Sequence, residues 1–255
     1  MRVDVDGLDF DKVTMSEAVD AIVAMAKKRD RARYVCTGNL DHLVIASRNP
    51  EFRSAYEAAD LVVADGTAIV WLSRLSTPSC DALAERVTGS DLFWELTRAS
   101  ASEEVRLFLL GGLPGAAERA AIAATRRYPG ASIVGTYCPP FDTFDTDAEQ
   151  ARIRQRVQEA RPDILLVALG APKQELWIAR NKDALGVPVS MGVGGSFEMA
   201  AGDRRRAPRW IQRTGFEWLY RFSQEPDRLF RRYFVEDLPY FSGAAARAIA
   251  RRFGT

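Results

Sequence analysis

The apolar positions of this chain change their period several times along its length. Near the start, "DVDGLDFDKVT" alternates apolar and polar residues around Asp6-Gly7, which predicts a β-hairpin. Met15, Ala18, Ile22 and Met25 then recur at helical spacing. Thr14, with Glu17 three residues later, supplies a capping box that starts this helix over 14–28. "RYVCTGN" is a short strand ending at Thr37-Gly38-Asn39, and "LDHLVIASRNPEFRSAYEAA" reads as one helix. The next strand, "LVVA", stops abruptly at Asp65-Gly66, before helices over "AIVWLSRL" and "GSDLFWELTRAS". Strands "VRLFLLGG", "SIVGTY", "DILLVALG" and "VPVSMGVGG" then alternate with helices "AAERAAIAATRRY", "EQARIRQRVQEAR" and "QELWIARNK". This alternation predicts an α/β fold, a single Rossmann-like, mostly parallel sheet with helices on both faces. The expected division is an α/β domain over 1–202 and a basic, aromatic-rich helical appendage over 203–255. No internal repeat or low-complexity linker interrupts it.

Composition narrows the class. The chain has 255 residues, 47% of them hydrophobic and 27% charged, enough for a substantial core. No apolar run approaches the ~20 residues of a membrane span, and "MRVDVDGLDF" lacks the apolar stretch of a signal peptide. A cytoplasmic protein is expected. The three cysteines are scattered without metal-ligand spacing and His42 is the single histidine, so no metal site is expected and a Ser-His-Asp triad could use only His42. The net charge of +1 hides an asymmetry. Residues 203–255 hold twelve arginines, six acids and eleven of the 25 aromatics, a local balance of +6 on a body of −5. Such a tail suits an anionic partner: a membrane surface, a diphosphate or a nucleic acid.

Candidate chemistry gathers at the strand ends. A parallel sheet brings its carboxyl edges together, and ligands sit there. The ends here carry Thr37-Gly38-Asn39, Asp65-Gly66, Gly111-Gly112, Gly135-Thr136-Tyr137, Gly170 and Gly192 to Gly195. "FLLGGLPGAAERA" departs from the G-x-G-x-x-G spacing and Pro114 interrupts it, so a nucleotide or nucleotide-sugar is a better inference than a nicotinamide cofactor. Asp65 reads either as a turn or capping aspartate or as a ligand-edge carboxylate. In "LGAPKQELWIARN", Lys173 is placed to face a phosphate and Gln174 a sugar hydroxyl. Equally, Lys173 reads as solvated and Glu175 as favouring the helix N-terminus. The acids of "FDTFDTD" at 141–147 read as a solvated loop, not a metal-binding DxD element.

Taken together, "TGNLDHLVIASRNPEF", "ADLVVADGTAIVWLSRL", "ERVTGSDLFWEL", "FLLGG", "PDILLVALGAPKQELWI" and "GVGGSFEMAAGDRRRAPRWIQRTGFEWLYRFSQEPDRLFRRY" resemble the WecG/TagA/CpsF glycosyltransferases (glycosyltransferase family 26, of the GT-E type) over nearly the full length. The resemblance implies an inverting, metal-independent enzyme without a cofactor. It would move N-acetylmannosamine, its uronic acid or glucose from a UDP-sugar to an undecaprenyl-diphosphate-linked saccharide. The work would be done at the inner membrane face, for wall teichoic acid, enterobacterial common antigen or exopolysaccharide. By the same resemblance Asp65 is the base, while Thr37, Asn39, Arg86 and Gln174 line the sugar pocket. Arg221, Arg228 and Arg231 would come to the diphosphate when the appendage closes over the site. The family usually has Phe-Asp where this chain has Phe197-Glu198.

The physical case runs alongside. An inverting transfer needs one base for the acceptor hydroxyl. In a chain with one histidine a carboxylate at a desolvated strand end is suited to it. Without a metal, arginines and helix N-termini must neutralise the departing diphosphate. In the tail, Trp210, Ile211, Trp218, Leu219 and Phe222 fall on one helical stripe, either a packing face or a lipid contact. Arg228, Arg231 and Arg232 follow on a second helix. The competing functions are a nucleotide-dependent oxidoreductase, a non-catalytic membrane adaptor and, weakest, a nucleic-acid binder, since the tail is amphipathic rather than built like a known reader.

Overall fold

The N-terminal strands β1 (Arg2–Val5) and β2 (Leu8–Asp11) pair antiparallel, with Val3 opposite Phe10 and Val5 opposite Leu8. Those four side chains are buried while Asp4 and Asp9 face out, as the alternation requires. The computed structural model describes residues 1–78 and 80–253; of Arg209, Arg213 and Phe253 it describes the backbone only. Helix α1 (Met15–Lys28) starts at Thr14, whose hydroxyl accepts from Glu17 N while the Glu17 carboxylate accepts from Thr14 N, the expected capping box.

Six parallel strands form the main sheet: β3 (Arg33–Gly38), β4 (Leu61–Ala64), β5 (Leu107–Gly111), β6 (Ile133–Tyr137), β7 (Ile164–Ala168) and β8 (Val189–Gly192). Their spatial order is β4-β3-β8-β7-β5-β6. The chain lays β3 and β4 at one edge, crosses to lay β5 and β6 at the other, and fills the gap with β7 and β8. β3 and β8 are therefore neighbours whose following helices lie on opposite faces of the sheet, the arrangement that opens a crevice at the carboxyl edge.

Helices α2 (Leu40–Arg48), α3 (Pro50–Glu57), α4 (Thr67–Ser76), α5 (Gly89–Glu103), α6 (Ala116–Arg127), α7 (Asp147–Ala160), α8 (Lys173–Leu185) and α9 (Ser196–Ala201) connect the strands. One core lies between the sheet and α2, α3, α4, α7 and α8, and contains Phe52, Tyr56, Leu72 and Ile178. The other lies under α1, α5, α6 and α9, around Ile22, Phe93, Leu96 and Phe197. The single helix expected over 40–59 is two. Pro50 has no N–H to continue the ladder, and Asn49 Oδ1 accepts from Phe52 N at 3.0 Å to begin α3 afresh.

The tail also divides more often than its stripe suggests. It forms α10 (Arg209–Thr214), α11 (Glu217–Gln224), α12 (Pro226–Phe230), a π-helical segment (Arg231–Asp237) and α13 (Leu238–Phe253). Gly215, at φ +82°, breaks the stripe, because a Cβ there would press on Trp71 and Thr67 of α4 at 2.9–3.1 Å. Trp210 and Ile211 thus belong to one helix, and Trp218, Leu219 and Phe222 to another. Trp218 and Phe222 pack edge-on against Phe234, so part of the stripe is packing surface. α13 lies along α4 with Ala244 and Ala248 buried, which docks the tail onto the body.

Candidate active site

The ends of β3, β4 and β8 meet the start of α5. Asp65 follows β4 directly, its N–H donating to Gly38 O at 2.7 Å. Gly66, at φ +155°, lets the chain turn there into α4, with the Asn39 side chain beside it. Asp65 Oδ2 accepts from Gly89 N, the first residue of α5, at 3.4 Å. The carboxyl is half-buried, and that desolvation raises its pKa to about 6, against the opposing pull of the Gly89 N–H and of the Arg221 and Arg86 guanidiniums. A carboxylate at that level is ionised at neutral pH yet basic enough to take a proton.

Thr37, Asn39 and Gln174 shape this corner through the backbone. Thr37 Oγ1 donates to Gly192 O at 3.0 Å, and Gly194 N donates to Gln174 Oε1 at 3.1 Å, so the two side chains pin the turn after β8 from opposite sides. A Cβ on Gly89 would lie 3.3 Å from Val193 O and 3.5 Å from Thr37 Oγ1, so glycine is what lets α5 begin this close to that turn. Asn39 Oδ1 caps α2 through His42 N. Asn39 remains half-buried beside Gly66, whereas Thr37 and Gln174 are buried.

The appendage covers the same corner. Arg86 Nη1 donates to Glu217 Oε2 of α11 at 2.5 Å. Arg221 and Arg228 line a small cleft with Arg204, Arg205 and Arg206. Arg228 is paired with Glu225, and Arg231 stands exposed beside Glu236, outside that cleft.

The other expected site residues sit elsewhere. Gly135 and Tyr137 are on β6, at the far edge from β4 and about 24 Å away across five strand spacings. A Cβ on Gly135 would strike the Phe108 ring at 2.5 Å, and Tyr137 Oη donates to Glu149 at 2.5 Å, so both are engaged in packing. Lys173 Nζ lies 3.7 Å over the Phe144 ring and 3.8 Å from Asp145, which ties α8 to the 141–147 loop. Gly170, at φ +75°, has open space around it, whereas Gly111 passes tightly against Ala168 O. Glu175 is turned into the core with no exposed surface, and burial raises its pKa to about 7. Gln174 Nε2 donates to Glu175 Oε1 at 2.6 Å. His42 Nε2 is 3.7 Å from that carboxyl and His42 Nδ1 is 3.8 Å from Cys36 Sγ. Among the described residues these three form the one group with metal-ligand atoms in reach of one another. Burial pushes His42 down to about 3, which keeps it neutral.

One acid sits closer to the crevice than its sequence signal suggested. Glu198, on α9, is buried; its Oε1 accepts from Leu113 N at 2.8 Å, and its Oε2 has no partner among the described residues. A Cβ on Gly112 would stand 3.5 Å from the bonded Oε1, whereas one on Gly195 would stand 3.6 Å from the open Oε2 and 2.9 Å from Arg204 Nη1. A buried oxygen without a donor is costly unless a ligand or water supplies one. The sequence signal for it was the acid that closes "GVGGSFE".

Residues 3–254 match the family model described as Glycosyl transferase WecG/TagA/CpsF family. The chain belongs to this family. It is thus a glycosyltransferase. Curated relatives in Staphylococcus aureus, strains MW2 and MRSA252, are each 31% identical over 249 residues, which is 97% of this chain and 93% of theirs. Both are named N-acetylglucosaminyldiphosphoundecaprenol N-acetyl-beta-D-mannosaminyltransferase.

Proposed function

We propose that this glycosyltransferase moves a sugar, N-acetylmannosamine in the first instance, from a UDP-sugar to a saccharide carried on an undecaprenyl-type lipid diphosphate, with inversion and without a metal. The observation that carries the reading is Asp65, raised to about 6 at the carboxyl edge of the sheet and faced by Arg86 and Arg221. In the step, the acceptor hydroxyl oxygen attacks the anomeric carbon, and Asp65 takes the hydroxyl proton. The bond from that carbon to the diphosphate breaks with both electrons going to oxygen. The charge that develops on UDP is met by Arg221, which faces Asp65, and by Arg228, which lines the same small cleft as Arg221. Glu198, with its open Oε2 beside Gly195, is suited to accept an N–H or O–H from the nucleotide end of the donor. The names of the staphylococcal relatives support the acceptor and the transferred sugar.

The membrane side of the proposal rests on which faces stay open. Trp210, Phe216, Leu219, Phe230, Val235 and Leu238 are exposed on the appendage, among exposed Arg205, Arg228 and Arg231. Among the described residues no helix is long and apolar enough to cross a membrane. A surface of this kind suits peripheral contact with the anionic inner leaflet. The division into a 1–202 catalytic body and a 203–255 membrane-facing appendage follows from the same reading. UDP release from a panel of UDP-sugars, with a short-chain lipid-diphosphate N-acetylglucosamine as acceptor, tests it. Turnover with UDP-N-acetylmannosamine is expected. Reaction only with another UDP-sugar would reassign the donor, and no UDP release from any of them would remove the proposal.

A further inference from the structure

Helix α11 turns a charged face inward. Glu217 and Arg221 are four residues apart and so share one side of it. Trp218 and Leu219, by contrast, are exposed. Glu217 reaches two arginines that precede the helix. Its Oε2 accepts from Arg86 Nη1 at 2.5 Å, and its Oε1 lies 3.8 Å from Arg206 Nε. That Nε has no hydrogen-bond partner of its own. The Nη atoms of Arg206 are committed to Asp91, with Nη2 to Oδ2 at 2.6 Å. Asp91 sits in the first turn of α5, two residues after the Gly89 whose N–H meets Asp65. A continuous set of polar contacts thus runs from α11 through Arg206 and Asp91 to the helix start that holds Asp65. The Arg86 and Glu217 side chains keep only 19% and 15% of their surface exposed, so solvent and salt screen this pair less than an ordinary surface bridge.

We infer that Glu217 is a positioning residue: it latches α11 onto the body through Arg86 and Arg206, and its charge counterbalances the cations gathered at Asp65. The inference rests on the reading of Asp65 as the base. The ionisable groups facing Asp65 are Arg86 before α5, Arg206 before α10, Glu217 and Arg221 on α11, and the buried Cys36 thiol of β3. Three guanidiniums favour the carboxylate, and Glu217 is the acid set against them. Without its charge the cations dominate and Asp65 holds its proton less tightly. Loosening α11 also admits water to Asp65, which acts in the same direction, while drawing Arg221 away acts against it.

The test uses the full chain with Glu217→Gln and Glu217→Asp. Hydrogen exchange of the α11 amides needs no substrate. In Glu217→Gln these amides are expected to exchange about tenfold faster, with β3, β4 and β8 unchanged. The acidic limb of kcat/KM is expected to move to lower pH in Glu217→Gln and to stay near wild type in Glu217→Asp, which keeps the charge. Unchanged α11 exchange in Glu217→Gln would remove the latch. An identical acidic limb in both variants and wild type would remove the charge role. Faster α11 exchange together with full turnover in Asp65→Asn would leave the latch standing and sink the base, so the two failures are told apart.

Discussion

Asp65 carries opposite consequences for activity and for stability. As the base it works only when ionised, so kcat/KM is expected to fall as pH drops through about 6, where the carboxyl takes up its proton. For stability the sign reverses. A carboxyl whose folded pKa lies above its unfolded value of ~3.9 binds its proton more tightly in the folded state. Its contribution is fully present below pH ~4 and is lost as pH rises through about 6. Asp65→Asn, which mimics the neutral form, should therefore raise the unfolding free energy at pH 7.5 by up to about 3 kcal/mol and leave it nearly unchanged near pH 3.5. Denaturant titrations at the two pH values check this, and a loss of stability at neutral pH would show that the carboxylate is held by its partners rather than strained by burial. Asp65 was legible in sequence because its signal is local: a β-branched run broken by Asp-Gly. Glu175, Glu198 and Glu217 were harder to place. Their environments are set by residues far along the chain, such as His42 for Glu175, Leu113 for Glu198 and Arg86 for Glu217. For Lys173 the solvated reading and the phosphate reading were both open in sequence, and the rings of Phe141 and Phe144 close over it instead.

At the scale of elements, the strands and helices of the body follow from periodicity, and the capping box at Thr14 and Glu17 fixes a boundary to the residue. What periodicity missed are breaks imposed by single residues: Pro50 within an unbroken helical pattern, and Gly215 within an aromatic stripe. The π-helical turn over 231–237 has no period of its own to read. Its buried Asp237, pushed up to about 7 by burial, faces Arg232, which also reaches Asp41 of α2 at 3.1 Å. The broken stripe changes the expected division of labour among its aromatics. Trp218 and Phe222 each meet the Phe234 ring edge-on, while Trp210 and Leu219 are exposed. Trp210→Glu with Leu219→Glu should therefore lower binding to anionic vesicles at least about tenfold while leaving the melting temperature within about 2 °C, since neither side chain is buried in the body. Vesicle sedimentation and thermal unfolding read the two arms. Unchanged sedimentation would move the membrane contact off this face.

The whole molecule joins an acidic body to a tail of +6, and the tail is docked, not loose, because α13 buries Ala244 and Ala248 on α4. Removing 203–255 would expose α4 as well as remove arginines, so point variants separate anchoring from catalysis better than truncation does. Each arginine near an anionic surface contributes about 1 kcal/mol, screened beyond a Debye length of ~8 Å at physiological salt. Vesicle binding is therefore expected to weaken steeply as salt is raised to about 0.5 M, and salt-insensitive binding would point to apolar insertion alone. Metal independence belongs to this scale too. With Arg86 and Arg221 facing Asp65 and further arginines lining the cleft that Arg221 shares, turnover is expected to survive EDTA, and loss restored by magnesium or manganese would contradict it. The most direct measurement compares wild type and Asp65→Asn on vesicles carrying a lipid-diphosphate N-acetylglucosamine, with UDP-N-acetylmannosamine as donor and UDP release as readout. The account predicts steady turnover by wild type and a kcat lower by roughly 10²–10⁴ in Asp65→Asn with donor binding retained; equal turnover by the two proteins would contradict it.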